Sequence, residues 1–303
     1  MIKMPRWNGH LVKRLVIVSV SASVFGLSYV WTAVRRLAGR RIPGTCVVLY
    51  FHAVRPEHRS AFARQMDTLL RCAKPTRADR QEPLAEGVHH SVVTFDDGYQ
   101  NVIENALPEL EKRAIPSTLF IITEALGKPA HWLTGPRGPD WYGPVMTADQ
   151  MKNLSADLVA IGSHTATHPL LPALSAEEAM RELSQSRAQL ERMLNRKVGL
   201  FSFPYGAHHA RLIECCREAG YDRVFTTRPA LAFADPAEFT TGRVPVEPSD
   251  WPLEFRLKLS GAYRWMPAAF SLKRKLQGAF HRGGGSARSS VHDCSPSTPS
   301  GVR

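Results

Sequence analysis

The stretch TFDDGY, residues 94–99, places two adjacent carboxylates, Asp96 and Asp97, directly after an apolar run. Side chains on a strand alternate between two faces, and strand ends favour turn residues. Two acids followed by Gly98 therefore indicate a strand that stops at the rim of a sheet. Asp-Asp-Gly is also common turn chemistry, so a solvated surface turn is the alternative interpretation.

Apolar runs and helical patterns alternate on both sides of this stretch. The runs are short and continuous, which is typical of strands buried on both faces and therefore of a parallel sheet. The chain has 303 residues, of which 44% are hydrophobic, and one α/β barrel of about 250 residues would use most of that length. We predict an α/β fold, either a parallel barrel or a doubly wound sheet. The predicted strands are 46–52, 91–95, 117–122, 158–164, 198–204, 223–227 and 243–246, and the predicted helices are 59–73, 100–113, 147–155, 175–194 and 208–219.

The formal net charge of +12 lies at the two ends of the chain. Residues 1–41 hold eight Lys and Arg and no acid, and residues 251–282 hold seven against the single acid Glu254. Residues 42–250 carry a net charge of about −3. Nucleic-acid binding needs a cationic groove on the folded surface, so we predict no nucleic-acid partner. The five cysteines contain no CxxC pair and indicate neither a disulfide framework nor a cysteine zinc site.

The N-terminal segment contains twenty consecutive uncharged residues, 15–34, between the basic pairs Lys13-Arg14 and Arg35-Arg36. That length spans a bilayer core as a helix, so we predict a basic membrane anchor over residues 1–41 with one transmembrane helix. A cleaved signal peptide and a buried helix are the alternatives. The basic residues on the two sides nearly balance, so both orientations stay open. We favour an extracytoplasmic location of the central domain over a cytoplasmic one.

The segment after residue 250 is also basic. Residues 251–282 interleave Leu, Phe and Trp with Arg and Lys, which is typical of amphipathic helices that lie on anionic lipid, although a plain solvated helix has the same pattern. Residues 283–303 are poor in apolar residues and are predicted to be disordered. The central folded domain is therefore predicted over residues 42–250.

Several polar motifs fall at the ends of predicted strands. His52 ends the first strand, His164 begins the string HTATHP that also contains His168, and FPYG occupies residues 203–206. Two histidines at i and i+4 can face one metal ion if the segment makes a helical turn. An aspartate from a neighbouring strand end completes a two-histidine, one-carboxylate set. The same set holds Fe(II) in oxygenases, but the spare acid Asp96 and the lack of an HxD pair argue against that class.

TFDDGY, HTATHP and FPYG, in this order, resemble the leading motifs of the polysaccharide deacetylase family, the nodulation-B homology domain of carbohydrate esterase family 4. The resemblance covers residues 44–248. It implies a deformed (β/α) barrel that removes N-acetyl or related acyl groups from sugars with one divalent metal ion, zinc first and nickel or cobalt as alternatives. On this resemblance Asp97, His164 and His168 are the metal ligands and Asp96 is the general base.

The chemistry explains why the two acids are adjacent but not equivalent. A bound metal lowers the pKa of its water from about 15.7 to about 7 and polarises a carbonyl oxygen. Asp96, which points away from Asp97, can then accept the proton of that water. The backbone N–H near Tyr205, in a turn fixed by Pro204 and Gly206, is predicted to stabilise the oxyanion.

The sequence departs from the commonest pattern of the family in two places. Many relatives carry an Arg two residues before the Pro of the PYG motif and a late Leu-x-x-His, whereas this chain has Ser202 and a late Gly-Arg-Val-Pro. The string YFHAV resembles the N-terminal Tyr-x-His of an exopolysaccharide branch whose proton donor comes from the first strand. His52 is therefore our candidate general acid, with a neutral core histidine as the alternative. Arg243 is our candidate for orienting Asp96.

Residues 127–144 are rich in Gly and Pro and contain Trp132, Trp141 and Tyr142. Flat aromatic rings suit sugar faces, and a loop of this length is often a lid. We therefore place these three aromatic residues with the candidate substrate-binding residues, and a hydrophobic plug over the barrel is the alternative.

Taken together, these features predict a membrane-anchored, metal-dependent hydrolase acting on an acetylated polysaccharide or lipid-linked sugar. An amidase of non-carbohydrate C–N bonds and a catalytically inactive glycan-binding relative are the alternatives. The sequence does not determine the oligomeric state.

Overall fold

The computed structural model describes residues 9–134, 138 and 141–272. The predictions for residues 273–282 and for the tail 283–303 lie outside these described residues, as do residues 135–137 and 139–140 of the Gly- and Pro-rich loop. The strands are β1 (Thr45–Phe51), β2 (Lys74–Pro75), β3 (His89–Phe95), β4 (Ser117–Ile121), β5 (Val159–Ser163), β6 (Leu200–Ser202), β7 (Arg223–Thr226), β8 (Thr240–Gly242) and β9 (Val244–Pro245). The α-helices are α1 (Gly9–Leu37), α2 (Arg59–Cys72), α3 (Leu107–Glu111), α4 (Ala148–Lys152), α5 (Ala176–Leu194), α6 (Ala210–Glu218) and α7 (Pro252–Leu259), and a 3₁₀ turn follows at Ala262–Trp265.

The sheet has nine strands in the order β8-β7-β6-β5-β4-β3-β1-β9, and β2 also pairs with β3. Its strand pairs are all parallel. The two edge strands, β8 and β9, are separated in sequence by the single residue Arg243. The chain therefore passes directly from one edge to the other, and the sheet nearly closes into a (β/α) barrel. This confirms the predicted fold.

The strands form where the sequence is apolar on both faces. Every residue of β4 and β5 is buried, and so are six of the seven residues of β3. Side chains from five strands fill the interior of the barrel, among them Val48, Val92, Phe120, Leu200 and Phe225. Each predicted strand overlaps an observed one. Strands β2 and β8 were not predicted, because two and three residues are too few to leave a periodic signal.

The helices follow their local signals with one exception. The Ser175 side chain accepts a hydrogen bond from the Glu178 backbone N–H, and the Glu178 carboxylate accepts one from the Ser175 backbone N–H, so the predicted capping box starts α5. The exception is the predicted helix 100–113, which is a π-helical turn at Val102–Ala106 that continues into α3. Pro108 has no backbone N–H to donate in the first turn of α3, which suits a change of helix type there.

Helix α1 is 29 residues long, with a mean hydropathy of 1.7 over its apolar window. Its length and composition make it a candidate transmembrane span. It packs against α7 and the 3₁₀ turn through Val18 and Ser21, which are buried. Residues 251–272, the described part of the predicted amphipathic segment, are largely helical.

Candidate active site

The motifs meet at the carboxyl ends of the strands, around a cavity of about 330 Å³. The cavity receives side chains that follow β1, β3, β5, β6, β7 and β9, as expected for a parallel barrel. It is lined by Tyr50, His52, Asp96, Asp97, Trp132, Leu133, Tyr142, His164, His168, Phe203, Tyr205, Gly206, Thr227 and Glu247.

The two adjacent acids point in different directions because the backbone turns sharply between them. Asp96 still follows the strand, and its N–H donates to the Phe51 carbonyl at 2.9 Å. Asp97 and Gly98 then both adopt the left-handed conformation, with φ of 71°. A Cβ on Gly98 would lie 2.8 Å from Ile121 Cδ1. Glycine is therefore required at this position for a turn that sends Asp97 away from Asp96.

Asp97, His164 and His168 form one buried cluster. Asp97 Oδ1 lies 3.4 Å from His164 Nε2 and 3.5 Å from His168 Nε2. One candidate ligand atom from each residue lies within 4.8 Å of the others. The structure thus brings together the three residues that the sequence predicts as metal ligands.

The segment between the two histidines is not the helical turn that an i, i+4 pair suggests. Thr165 and His168 both have left-handed backbones, with φ of 70° and 63°. Glu182 of α5 fixes the segment because it accepts hydrogen bonds from the backbone N–H groups of Ala166 and Thr167, at 2.9 and 3.0 Å. The two imidazoles therefore converge through a turn braced by a helix.

The protonation states of the cluster follow from its contacts. The Nδ1–H of His164 donates to the Ser202 carbonyl at 2.8 Å, so Nε2 is the nitrogen that faces Asp97. Burial alone would lower the pKa of His164, but its contacts with Asp97 and Asp96 raise it. Burial alone would raise the pKa of Asp97, but its hydrogen bond with His164 and the neighbouring imidazoles lower it below the usual range. Burial, followed by the His164 charge, lowers the pKa of His168 to about 3. The cluster thus offers a carboxylate and a neutral imidazole.

This donor set fits a divalent metal ion. Zn²⁺ binds imidazole nitrogen and carboxylate oxygen at about 2.0–2.2 Å, so neighbouring ligand atoms of a tetrahedral site lie about 3.4 Å apart. Both measured separations from Asp97 Oδ1 match this spacing. His168 Nδ1 is buried without a hydrogen-bond partner among the described residues, and its ring is held by contacts with the rings of Trp132, His164 and Tyr205.

Arg243 forms a two-pronged ion pair with Asp96. Arg243 Nη1 donates to Asp96 Oδ1 and Nη2 donates to Oδ2, both at 2.7 Å. The same Nη2 donates to the Ser202 hydroxyl at 2.7 Å. Burial alone would raise the pKa of Asp96, but the Arg243 charge outweighs it and holds the pKa below its usual range. Asp96 is therefore held ionised and in a fixed orientation.

The guanidinium of Arg243 is fully buried, at 0% exposure, in an aromatic box. It lies 4.6 Å from the ring centre of Tyr50 and 5.3 Å from that of Phe120. Such contacts stabilise a cation that is removed from water. The residue that links the two edges of the barrel thus also holds the candidate base.

His52 follows β1 and lines the cavity together with Asp97. Its ring meets the Tyr50 ring edge-on, with 5.7 Å between centres. It is half-buried, and its charge contributes to lowering the pKa values of Asp96 and Asp97. The structure thus places the candidate acid beside the candidate base and ligands.

The PYG turn lies on the opposite wall. Tyr205 has a left-handed backbone with φ of 57°, and its ring centre lies 4.6 Å from that of His168. A Cβ on Gly206, which has φ of 65°, would lie 1.9 Å from Thr227 Oγ1. Pro204 is buried and begins the turn. Gly206 therefore allows the close approach that brings Tyr205 to the cavity.

Two of the three predicted aromatics reach the cavity. Trp132 lies 5.0 Å from His168 between ring centres, and Tyr142 lines the cavity nearby. Trp141 is 43% exposed, packs under Arg55 and is not among the lining residues. A role for Trp141 in this cavity would require the loop to move.

The sequence interpretation missed several lining residues. Tyr50 shares a strand face with His52, and Thr227 directly follows β7, so alternation and strand ends could have indicated both. Glu247 follows the two-residue strand β9, which leaves almost no sequence signal. The bracing residue Glu182 lies 14 residues after His168, on a helix whose pattern gives no sign of this contact.

The family model named Polysaccharide deacetylase matches residues 86–224. Among curated proteins, YxkH of Bacillus subtilis (strain 168) is 27% identical over 157 residues, which are 52% of this chain and 51% of YxkH. The match thus spans about half the length of that relative.

Among solved structures, IcaB from Ammonifex degensii has a TM-score of 0.60 and 26% identity, covering 74% of this chain and 98% of IcaB. The Streptococcus pyogenes deacetylase PplD, solved in complex with acetate, has a TM-score of 0.56 and 19% identity, covering 72% and 98%. The latter likeness concerns the fold. Residues 86–224 are therefore similar in sequence to the polysaccharide deacetylase family, and the chain shares its fold with IcaB and PplD.

Proposed function

We propose that this protein is a metal-dependent deacetylase that removes N-acetyl or related acyl groups from a polysaccharide or lipid-linked sugar. The observation that carries the proposal is the pairing of two unlike carboxylates. Asp97 faces two imidazoles at ligand spacing, and Asp96 is held apart by Arg243. Metal-assisted amide hydrolysis can use two acids with these separate roles, because one acid binds the metal while the other accepts a proton from water.

Asp97, His164 and His168 are the proposed metal ligands. When bound, a divalent metal lowers the pKa of water and polarises the carbonyl of the acyl group. The ligand spacing suits zinc, which the family resemblance puts first, and it suits nickel and cobalt as alternatives.

The other residues have separate roles in the proposal. Asp96 accepts a proton from the attacking water, and Arg243 fixes the direction of its lone pairs. The backbone N–H of Tyr205 stabilises the oxyanion, and His52 donates a proton to the leaving amine. Trp132 and Tyr142 offer aromatic surfaces to the sugar or its acyl group.

The position of Arg243 helps to distinguish an active enzyme from a catalytically inactive glycan-binding relative. Ser202 stands where many relatives carry an arginine, and this difference would leave the base without a partner. In this chain the guanidinium reaches Asp96 from the link between β8 and β9, and Ser202 hydrogen-bonds to it. The partner of the base thus comes from another position in the chain, which supports an active enzyme.

The decisive experiment measures acetate release from acetylated hexosamine oligomers by the full chain. We expect release that stops on chelation and returns on adding Zn²⁺. Asp96→Asn should lower the rate by about 10²–10⁴-fold and keep metal binding, because this residue is not a ligand. The matched control is Asp149→Asn, which changes an exposed aspartate on α4.

Other outcomes would identify the alternatives. Hydrolysis of small amides without acetate from any glycan would indicate an amidase. Glycan binding without acetate release would indicate an inactive relative. Oxygen consumption with a 2-oxo acid would indicate an iron oxygenase.

The location is a further part of the proposal, with α1 as the membrane anchor and the catalytic domain on the extracytoplasmic side.

A further inference from the structure

We infer that α1 lies along an anionic membrane surface while it stays docked on the flank of the barrel, instead of leaving the domain to cross the bilayer. The inference rests on the membrane location proposed above and adds how the helix sits. The length and apolarity of α1 allow it either to cross a bilayer or to lie on its surface, so we distinguish the two orientations by the contacts of its two faces.

One face of α1 is fixed to the protein by polar contacts. Arg14 Nε donates to the Glu254 carboxylate at 2.8 Å, and the Arg14 guanidinium lies 4.1 Å from the ring centre of Trp251. Trp265 Nε1 donates to the Ser21 hydroxyl at 3.0 Å, and Arg264 donates to the Ser28 hydroxyl at 2.6 Å. Positions 14, 21 and 28 are seven residues apart and share one face over about 21 Å of helix.

These contacts resist insertion of the same segment into hydrocarbon. Glu254 also faces Lys258 at 3.4 Å, and Lys258 pairs with Asp250 at 2.7 Å. An upright α1 that kept its contacts would place this cluster at the membrane interface and carry Arg264, which donates to Ser28 within the apolar run, into the bilayer core, where ionisable groups are costly. An upright α1 that left the domain would expose the buried Ser21 face and leave Glu254 without Arg14.

The opposite face of α1 is apolar and exposed. Leu27 is 71% exposed and Val30 is 59% exposed. The stripe contains Val12 and Val16 at one end and Leu27, Val30, Val34 and Leu37 at the other, with the exposed Ser19 and Ser23 between them. These residues lie on the side of the helix away from Arg14, Ser21 and Ser28. Exposed apolar residues gathered on one face of a helix mark a site of contact with a membrane or a protein.

The occupant that suits this face is an anionic bilayer. Residues 9–41 contain six Lys and Arg and no acid. Arg14 pairs with Glu254 and Arg41 with Glu86, and the other four have no ion-pair partner among the described residues. Basic residues beside an apolar helix face are drawn to anionic headgroups. Binding to an apolar protein surface would not require this excess of basic residues, so we infer that the exposed face of α1 contacts lipid.

The direction of α1 has a consequence for access to the active site. The helix starts beside Trp251, near the carboxyl ends of the strands, and its last turns share a groove with Pro43 and Thr45 at the start of β1. It therefore runs antiparallel to β1. When the outer face rests on lipid, the cavity opens sideways along the surface, within reach of a glycan held at the membrane.

Thiol labelling tests the orientation in sealed membrane vesicles from cells that make the full chain. His10→Cys and Ala38→Cys mark the two ends of α1, and the exposed native Cys72 marks the catalytic unit. A membrane-impermeant reagent, with sites located by peptide mass spectrometry, should label all three thiols from the same side and within about twofold of each other. Labelling of His10→Cys and Ala38→Cys from opposite sides would show that α1 spans and would overturn the inference.

Sedimentation with vesicles tests the lipid-facing stripe. Leu27→Glu should reduce binding to phosphatidylglycerol vesicles at least tenfold, whereas Leu70→Glu on α2, a change at another exposed leucine, should leave binding unchanged. Equal binding by Leu27→Glu and the unaltered chain, or no preference over phosphatidylcholine vesicles, would refute the inference. Acetate release is measured separately, so failure of the deacetylase proposal would not be confused with failure of this one.

Discussion

Single residues in unusual backbone conformations build the candidate site. Asp97, Thr165, His168 and Tyr205 all have positive φ values although none is glycine. Each such residue costs on the order of 1–3 kcal/mol and persists only where its surroundings hold it. All four lie at or beside the cavity, which indicates that the fold gives up stability there to aim particular side chains.

The first prediction concerns Arg243. Arg243→Met should lower the free energy of unfolding by about 3–5 kcal/mol, because it leaves the Asp96 carboxylate buried without a partner. The double variant Arg243→Met/Asp96→Asn should recover part of that loss, since it removes the stranded charge. Urea titrations of the three proteins measure both effects. A double variant that is no more stable than Arg243→Met would contradict the ion-pair explanation.

At the scale of elements, α5 acts as a brace for the turn that carries both histidines. Glu182 accepts two backbone hydrogen bonds and one from the Thr167 hydroxyl at 2.8 Å. Groups that orient metal ligands from behind typically contribute 10–100-fold to metal affinity.

The second prediction follows from this brace. Glu182→Gln should weaken zinc binding about 10–100-fold, because a neutral amide holds the three donors less strongly. Calorimetric titration of the metal-free chain with Zn²⁺ measures the change. Glu177→Gln is the control, since Glu177 lies on the same helix with its side chain 89% exposed. Equal affinity in the two variants would rule out the bracing role.

The third prediction concerns the contact between α2 and α3. Bonds from Arg59, Lys112 and Arg113 lower the pKa of Glu109 from 4.5 to about 2. A lowered carboxyl pKa adds stability that is fully present above pH 4.5 and is lost as the pH falls toward 2. The free energy of unfolding should therefore fall between pH 5 and pH 3 by a larger amount in the unaltered chain than in Glu109→Gln.

Urea titrations at the two pH values measure this difference. Glu111→Gln serves as the control, because it changes an exposed glutamate in the same helix. If Glu109→Gln and Glu111→Gln lost the same stability on acidification, the pairing of Glu109 would not be the cause.

The sequence predicts the strands, and the position of Asp96 and Asp97 at the end of β3, better than it predicts the backbone conformation of the turns. Continuous apolar runs identify β3, β4 and β5 because both of their faces are buried. The turn that joins His164 to His168 depends on a side-chain contact with Glu182 of α5, and such a contact leaves no periodic signal in the sequence. Strand β8 is three residues long and is held by pairing with β7, so only the assembled sheet reveals it.

At the scale of the whole molecule, the candidate ligands tie together strands that are not neighbours. Asp97 follows β3 and the two histidines follow β5, with β4 between them in the sheet. Asp96 reaches in the other direction to Arg243, at the near-closure of the barrel. A bound ion and the ion pair together would therefore join distant parts of one rim.

The last prediction follows from this arrangement. A ligand that binds only the folded state adds RT ln(1 + [L]/Kd), about 2.7 kcal/mol at a concentration of 100 Kd. For a domain of this size that corresponds to a rise in Tm of about 5–10 °C. Scanning calorimetry with and without Zn²⁺ should show the rise in the unaltered chain. It should disappear in His164→Ala, which removes a ligand, and persist in His58→Ala, which lies outside the cavity lining. The same rise in His164→Ala would place the stabilising ion elsewhere, and the three-ligand site would have to be abandoned.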